Sequence, residues 1–263
     1  MLDYKFYFGY LKYLMFSWHK YGYGIHSPFV YDLIKNVMNS RMPNKQTLEI
    51  ENIRKKLISS NLVVETEDYG ALTEKCHYKK KKISSIVKDT AIKKKYGRLL
   101  YKMIARYKPA NILELGTSLG FSTMYMAMAN SESKVYTIEG CPNTLNFAKN
   151  NFKELNLNNI IASNGKFDEI LSDLIKEVGK LDLVFFDGNH KKEPSLDYFN
   201  KCLSFADDKS IFIFDDINWS AEMREAWEEI KSNEAISLTI DLYFMGLVFF
   251  MKDFRRQDFI IRF

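Results

Sequence analysis

The pattern of apolar and polar residues changes character near residue 96. From residue 111 onward, short apolar runs alternate with segments in which apolar residues recur every three or four positions. The runs are NILEL (111–115), KVYTIE (134–139), NIIAS (159–163), LDLVFFD (181–187) and SIFIFD (210–215). Near-continuous apolar strands that alternate with amphipathic helices are typical of a parallel sheet covered by helices on both faces.

The end of the chain follows a different pattern. The segments SLTIDLYF (237–244) and LVFFM (247–251) flank Met245-Gly246 and predict an antiparallel hairpin, and DFIIRF (258–263) predicts a last extended piece. We therefore expect an α/β fold. Its core is predicted to be a doubly wound, mostly parallel, seven-stranded Rossmann-like sheet with an antiparallel C-terminal hairpin.

Residues 1–95 read as helices without strands, because apolar residues such as Leu11, Leu14 and Trp18 fall on one helical face. Two domains are expected, an N-terminal helical region at 1–95 and a core at 96–263. The aromatic stretch FSWHKYGYGIHSPFVYDL (16–33) is interpreted as packing, with a lid over a ligand pocket as the alternative.

Composition narrows the class of protein. The chain has 263 residues, of which 46% are hydrophobic, and this excludes a disordered chain. Its cysteines, Cys76, Cys141 and Cys202, form no CxxC pair, which indicates reduced thiols and a cytoplasmic protein. The longest C-terminal apolar run (242–251) is too short to span a bilayer, so no membrane partner is expected.

A lysine-rich stretch at residues 75–95 carries nine lysines and one acid, Asp89. Such a stretch can bind nucleic acid or a phosphorylated ligand. The whole chain is rich in lysine, however, and its net charge is only +5. A solvated helix face is therefore the favoured interpretation, and nucleic acid is a disfavoured partner.

The segment ILELGTSLGFST (112–123) reads as a strand, a glycine-rich turn and a helix that begins near Phe121. Gly116 and Gly120 allow a tight turn and a close approach of the backbone to a ligand. The spacing is not GxGxxG, so the dinucleotide fingerprint is absent. Glu139 ends the next strand, where a carboxylate can accept both hydroxyls of a ribose.

These residues resemble the ExGxxxG motif of class I S-adenosylmethionine-dependent methyltransferases, over roughly residues 96–252. The resemblance implies S-adenosylmethionine as cofactor. It assigns the methionine part of the cofactor to the glycine-rich loop, the ribose to Glu139 and the adenine to the loops that follow the second and third strands. Related enzymes often carry an acid where this chain has Lys166. The implied cofactor-binding residues are Glu114, Gly116, Thr117, Ser118, Gly120, Ser122, Glu139, Gly140, Cys141, Gly165, Lys166, Phe167 and Asp187.

Three aspartates follow the fourth and fifth strands. Asp187 ends FFD, and Asp215 and Asp216 end FIFDD. If these strands are neighbours, the three carboxylates repel one another unless one is protonated or a cation joins them. Mg²⁺ or Ca²⁺ with oxygen ligands is the natural partner. The alternative is helix capping or solvated charge, although Ser220 is itself a candidate cap for the following helix.

The same segments resemble the metal-dependent O-methyltransferases of the catechol, caffeoyl-coenzyme A and macrocin types. The resemblance implies methylation of a small hydroxylated acceptor, with Asp187, Asp215 and Asp216 as metal ligands and with Asp187 and His190 as catalytic residues. Asp216 stands where the catechol type has Asn, and His190 lies where that type has a lysine base. A surface-loop histidine, an RNA-directed methyltransferase or binder, and a non-catalytic cofactor-binding protein are the alternatives. A homodimer is also compatible with the aromatic N-terminus.

Overall fold

A computed structural model describes residues 4–68, 77–252 and 255–263. The chain forms two compact units, one of Met1–Ser40 with Gly179–Phe263 and one of Arg41–Val178. Within the described residues, eight strands form a large, mostly parallel sheet, and two others form a small separate sheet. The predicted α/β class with its antiparallel C-terminal hairpin is therefore confirmed, with eight strands in place of seven.

The elements of the described residues alternate as follows. The helices are α1 (Tyr4–Phe16), α2 (Pro28–Asp32), which continues as a π-helical segment (Leu33–Met38), α3 (Asn44–Ile58), α4 (Ile83–Thr90), α5 (Lys94–Tyr107), α6 (Phe121–Ala129), α7 (Pro142–Glu154), α8 (Phe167–Val178), α9 (Lys192–Leu203) and α10 (Ala221–Ser232). The strands are β1 (Val63–Asp68), β2 (His77–Lys82), β3 (Asn111–Leu115), β4 (Lys134–Glu139), β5 (Ile160–Asn164), β6 (Leu183–Phe186), β7 (Ile211–Asp215), β8 (Leu238–Asp241), β9 (Met245–Phe249) and β10 (Gln257–Ile260).

In the unit of residues 41–178, β3, β4 and β5 pair side by side and run parallel. Strands β3 and β4 have the bounds that the apolar runs predicted. The register sets Glu114 opposite Thr137 and Glu139 opposite Asn164. This register fixes which side chains of neighbouring strands meet at the carboxyl ends of β3, β4 and β5.

The prediction that residues 1–95 lack strands is wrong. Strands β1 and β2 form an antiparallel hairpin in which Glu65 lies opposite Lys80. Its sequence is mostly charged, and only Val64 and Thr66 of the described β1 side chains are buried. Apolar periodicity could not reveal this hairpin, because charged cross-strand neighbours and distant contacts support it.

The unit that contains residues 179–263 carries the other strands. Strand β6 pairs with β7 in parallel, β7 pairs with β9 and β9 with β8 in antiparallel fashion, and β10 adds to β8 in parallel. Helix α10 buries Met223, Trp227 and Ile230, as its spacing predicted. The extended piece expected at the end of the chain is β10.

The turn of the C-terminal hairpin lies earlier in the chain than the predicted Met245-Gly246. Strand β8 ends at Asp241, and the turn comes at Tyr243, which has a φ of 72°. The Asp241 carboxylate holds this turn by accepting the Tyr243 backbone N–H at 2.6 Å. Gly246 lies within β9, where an added Cβ would come within 2.5 Å of the Trp227 ring. Gly246 therefore leaves space for the Trp227 ring and is not part of the turn.

Helix α1 packs against the same hairpin. Tyr13 is buried and contacts Tyr243, with ring centroids 5.3 Å apart, and its hydroxyl donates to the Ile261 carbonyl at 2.6 Å. Just after the helix, Trp18 forms a parallel bridge with Ile261. The start of the described chain is thereby tied to its end.

Candidate functional site

The glycine-rich loop between β3 and α6 has the backbone conformation that the motif predicted. Gly116 has a φ of 106° and Ser118 a φ of 47°, values that place both residues in the left-handed half of conformational space. The backbone N–H groups of Gly116 and Thr117 donate to the Ile138 carbonyl at 3.1 and 3.2 Å. The loop therefore folds back over the end of β4.

Helix α7 supports this loop from one side. Gly120 has a φ of 82°, and an added Cβ would come within 2.4 Å of the Phe152 ring. The Asn151 side-chain amide donates to the Leu119 carbonyl at 2.9 Å. Gly120 is therefore required both by its conformation and by close packing. It also precedes the first turn of α6, which has no side-chain cap and contains the buried Ser122.

Glu139 lies at the carboxyl end of β4 and connects two loops. One carboxylate oxygen accepts the backbone N–H of Ser118 at 2.7 Å, and the other accepts that of Cys141 at 2.9 Å. Burial raises the pKa of Glu139, and these two hydrogen bonds oppose the rise. The carboxylate is thus held in one orientation between the glycine-rich loop and the start of α7.

Glu114 is fully buried one strand away. Its Oε2 accepts hydroxyl hydrogen bonds from Thr123 at 2.5 Å and Thr137 at 2.6 Å. Its Oε1 has no hydrogen-bond partner among the described residues. Burial raises the pKa of Glu114 to about 7, the hydroxyl donors oppose this rise, and the charge of Glu139 adds to it.

The loops assigned to adenine by resemblance also meet at Glu139. The Gly165 N–H donates to the Glu139 carbonyl at 3.1 Å, and the Asn164 amide donates to the Glu139 and Gly140 carbonyls at 2.8 and 3.0 Å. Lys166 forms an exposed ion pair with Glu169 at 3.3 Å, while Phe167 begins α8. Gly140, Asn164 and Gly165 are therefore connected to Glu139 by hydrogen bonds.

The β1–β2 hairpin docks beside this set. The Asn143 amide donates to the Glu65 carbonyl at 2.8 Å, and the buried Cys141 thiol accepts the Glu67 N–H at 3.4 Å. These contacts attach β1 to the start of α7, next to Gly140. The hairpin is an element of this neighbourhood that the sequence did not predict.

Sequence reasoning also missed three polar residues. Thr137 joins Glu114 to Thr117, with its hydroxyl 2.5 Å from that of Thr117. The Thr90 hydroxyl lies 2.8 Å from the Ser118 hydroxyl, and the Asn164 side-chain amide donates a hydrogen bond to the Glu139 carbonyl. Of these three, Thr137 could have been found from strand register, because pairing β3 with β4 sets Thr137 opposite Glu114.

The acidic residues of the other unit follow two adjacent parallel strands, as predicted. Phe186 pairs in register with Phe214, so Asp187 and Asp215 come next at the same edge. Asp216 then turns the chain with a φ of 52°, and its carbonyl accepts the Trp219 N–H at 2.9 Å. The following helix, α10, is capped by the Ser220 hydroxyl, which accepts the Met223 N–H at 3.1 Å.

His190 lies with these acids. Its Nε2 is 3.7 Å from Asp187 Oδ1. Burial lowers the pKa of His190, and the charge of Asp216 opposes this. The neighbouring Asn189 has a φ of 57° and donates its amide to the Tyr198 hydroxyl at 3.1 Å, which orders the loop. The side chain is therefore a partly buried histidine beside two carboxylates.

The side chains of this region include the three aspartates predicted to bind a metal ion. Aspartate oxygens are the right donors for Mg²⁺ or Ca²⁺. Yet within residues 4–68, 77–252 and 255–263, no three His, Cys, Asp or Glu side chains are arranged to hold an ion. The predicted ligand set of Asp187, Asp215 and Asp216 therefore has no support from the geometry and stays a prediction.

The central segment of the chain is similar to a known family. Residues 113–217 match the family described as "Methyltransferase domain". The matched segment is thus similar to a methyltransferase domain, and it makes up less than half of the chain. It begins in β3 and runs two residues past the end of β7, so it includes the glycine-rich loop, Glu139, Asp187 and His190.

A curated relative of the chain is the catechol O-methyltransferase of Niastella koreensis. It is 30% identical over 124 residues, which are 46% of this chain and 55% of the relative. The match thus spans about half of the relative's length. The resemblance to the catechol type that the motifs suggested is confirmed over these 124 residues.

Solved structures share the fold. The O-methyltransferase of Bacillus cereus in complex with S-adenosylhomocysteine has a TM-score of 0.56 at 18% identity, covering 84% of this chain and 97% of its own. A methyltransferase of Podospora anserina bound to S-adenosylhomocysteine has a TM-score of 0.59 at 14% identity, with coverages of 86% and 97%. At such identities the likeness is one of architecture.

The lysine-rich stretch does not form a single helix face. Its described part consists of β2, α4 and the residues that lead into α5, and Cys76 lies outside the described residues. Lys79 and Lys80 are exposed on β2, where Lys80 faces Glu65 across the hairpin. Across the described parts of the chain, none of the helices has the length and apolar character needed to cross a bilayer.

Proposed function

We propose that the protein is an S-adenosylmethionine-dependent O-methyltransferase that acts on a small hydroxylated molecule. The observation that carries this proposal is the Glu139 carboxylate, which the Ser118 and Cys141 N–H groups fix at the end of β4. Each carboxylate oxygen can accept a further hydrogen bond. The pair can therefore bind the two adjacent hydroxyls of a ribose.

Other polar groups near Glu139 suit the rest of this cofactor. The uncapped first turn of α6 can bind the methionine carboxylate through its backbone N–H groups, assisted by the Ser122 hydroxyl. The buried Glu114 lies beneath this region, and a buried water can satisfy its Oε1, which has no hydrogen-bond partner among the described residues. The donor set thus fits a zwitterionic nucleoside ligand.

The bound cofactor would supply an electrophilic methyl group. In the proposed reaction, His190 accepts the proton of the acceptor hydroxyl at Nδ1, because Nε2 is the nitrogen that lies nearer to Asp187. Asp187, whose Oδ1 lies 3.7 Å from Nε2, stabilises the protonated imidazole through its charge. A neutral histidine is required for this role, and burial of His190 favours the neutral form.

A catechol-like molecule is the first acceptor to test, because a curated relative is named catechol O-methyltransferase. A cytoplasmic location belongs to the same proposal. Metal assistance remains a sequence prediction, and the proposed proton transfer does not depend on it. Chelation tests it directly, since activity that persists in excess chelator rejects the metal requirement.

The first experiment measures binding of S-adenosylhomocysteine by thermal unfolding. At a ligand concentration of about 100 times Kd, the native state gains about 2.7 kcal/mol. For a chain of this size the gain corresponds to a rise in Tm of about 5–10 °C. Absence of a rise at saturating ligand would reject cofactor binding.

The matched variants are Glu139→Ala and Glu132→Ala. Glu139→Ala should abolish the rise in Tm, whereas Glu132→Ala, at an exposed residue before the opposite end of β4, should retain it. Each rise is measured from the variant's own unliganded Tm, because Glu139→Ala also leaves two backbone donors without their acceptor. Equal rises in both variants would contradict the assignment of Glu139.

The second experiment measures acceptor-dependent formation of S-adenosylhomocysteine. His190→Ala and Asp187→Ala should lower kcat by about 10²-fold or more while the Tm rise with S-adenosylhomocysteine persists. Unchanged turnover in both variants would remove the acid–base roles and leave the cofactor-binding assignment standing.

A further inference from the structure

Helix α1 presents apolar side chains on the side opposite to its packed face. Its packed side includes Tyr13, which contacts the C-terminal hairpin. On the other side, Phe8 is 69% exposed, Leu11 57% and Met15 69%. The spacing of three and four residues puts these side chains on one stripe of the helix. A stripe of this kind marks an interaction surface.

The exposed stripe continues into the loop that follows. Phe16 is 70% exposed and Tyr23 is 70% exposed, while Trp18 and Tyr21 are each more than two-fifths exposed. His19 stacks on Tyr23 with ring centroids 5.0 Å apart, and Lys20 lies over the Tyr21 ring at 5.1 Å. Aromatic rings with a polar edge, next to a lysine, suit a boundary between an apolar phase and water.

Charge along the segment has one sign. From residue 4 to residue 31 the sequence contains Lys5, Lys12 and Lys20 and no acid. Lys12 is exposed between the apolar positions of the stripe, and Lys20 is exposed beside the aromatic loop. A partner of this surface must therefore accept apolar side chains and carry negative charge at the same boundary.

We propose that the surface formed by Phe8, Leu11, Met15, Phe16, Trp18 and the loop to Tyr23 adsorbs to an anionic lipid bilayer. The apolar stripe would enter the boundary between headgroups and acyl chains, while Lys12 and Lys20 contact anionic headgroups. Adsorption of this kind needs no spanning segment. The helix lies along the membrane plane.

A second copy of the chain fits the surface less well. A twofold contact sets the same patch against itself, so Lys12 would face its own counterpart in an apolar interface. The segment from residue 4 to residue 31 offers no acid to pair with those lysines. Nucleic acid would satisfy the lysines, but it has no use for the aliphatic Leu11 and Met15.

The test is co-sedimentation of the full chain with vesicles. Vesicles of phosphatidylcholine with phosphatidylserine should bind the protein, and vesicles of phosphatidylcholine alone should bind it at least about tenfold more weakly. Raising the salt concentration to about 0.5 M should weaken binding to the anionic vesicles, because it screens the lysines. Failure to sediment with either vesicle overturns the proposal.

Two variants identify the surface. The triple change Phe8→Ser, Leu11→Ser and Met15→Ser should lower partitioning about a hundredfold or more, since each side chain contributes apolar area. The matched triple change Leu48→Ser, Leu62→Ser and Ile161→Ser removes exposed apolar residues elsewhere and should leave binding unchanged. Equal losses in both triples, or none in the first, would contradict the proposed surface.

Alternative occupants are measured with the same proteins. Light scattering that shows a dimer which the first triple change converts to monomer, without vesicle binding by the parent chain, assigns the surface to a second copy. Binding of single-stranded RNA that the same triple change abolishes, again without vesicle binding, assigns it to nucleic acid. Both results overturn the lipid proposal.

Discussion

The buried carboxyl of Glu114 makes the stability of the protein depend on pH in a defined direction. The folded protein holds the pKa of Glu114 at about 7, because the side chain is fully buried, against 4.5 for an exposed glutamate. Between these values the unfolded chain has released its proton and the folded chain has not. The stabilisation is therefore complete below pH 4.5 and is lost as the pH rises to about 7.

The size of this effect follows from the gap between the two pKa values. At about 1.4 kcal/mol for each pH unit, the gap from 4.5 to about 7 corresponds to about 3 kcal/mol. The substitution Glu114→Gln removes the titration and keeps an oxygen for the Thr123 and Thr137 hydroxyls. Its new NH₂ group occupies the place of Oε1, which has no partner among the described residues, at a cost of about 1 kcal/mol.

The expected result is a difference between the two proteins that grows with pH. Near pH 4.5 the variant should be within about 1 kcal/mol of the parent chain. At pH 8 it should be more stable by about 2 kcal/mol, which corresponds to a Tm about 4–8 °C higher. Thermal unfolding followed by circular dichroism at intervals from pH 4.5 to 8 measures this difference.

The comparison isolates Glu114 together with its charge interaction with Glu139, because both proteins share every other titrating residue. Glu132→Gln, a substitution at an exposed residue, is the matched control and should parallel the parent chain at all pH values. If the Glu114→Gln curve also runs parallel to the parent curve across this window, the reasoning from burial is refuted. A variant that is least stable at pH 8 would refute it as well.

Three further substitutions test local features. Gly120→Ala should lower the free energy of unfolding by about 2 kcal/mol or more, because Gly120 has a φ of 82° and an added Cβ would lie 2.4 Å from the Phe152 ring. Urea unfolding measures this change, and a neutral effect would contradict the prediction. Ser220→Ala should cost about 1 kcal/mol, or a few degrees in Tm, through loss of the hydrogen bond from the Met223 N–H, with Ser131→Ala as the exposed control. Asn143→Ala should speed hydrogen exchange in β1 about fivefold through loss of the 2.8 Å bond to Glu65, with exchange in β7 unchanged as the internal reference.

Much of the sheet could be predicted because its strands are local signals. The run KVYTIE predicts a strand from its own residues, without knowledge of the neighbouring strands. Its last residue, Glu139, was therefore expected at the carboxyl end of that strand. The β1–β2 hairpin gives no such signal, since Glu65 and Lys80 pair across it and Asn143 holds it from a distant helix. Contacts between residues that are far apart in the sequence decide its structure.

The candidate site was predictable to the same extent. The ends of β3 and β4 could be located from sequence, and in the structure Ser118 is hydrogen-bonded to Glu139, while Glu114 is linked through Thr137 to Thr117. The order of hydrogen bonds could not be predicted, because Thr137 becomes a partner of Glu114 only through strand register. The metal set rested on a resemblance and on Asp187 lying beside Asp215 and Asp216 at the ends of two neighbouring strands, and neighbouring strand ends do not fix the direction of a carboxylate.

Strand β10 lies beside β8 and takes up the hydrogen-bonding groups along its outer side. A chain shortened before Gln257 would leave β8 with an unpaired edge whose Leu238 and Ile240 are apolar, and such an edge recruits strands from other molecules. Trp18 would at the same time lose its bridge to Ile261. Truncated forms are then expected to self-associate, because the exposed edge of β8 can pair with strands of other molecules in an amyloid-like stack. A C-terminal tag or fusion should therefore follow Phe263 and leave β10 intact.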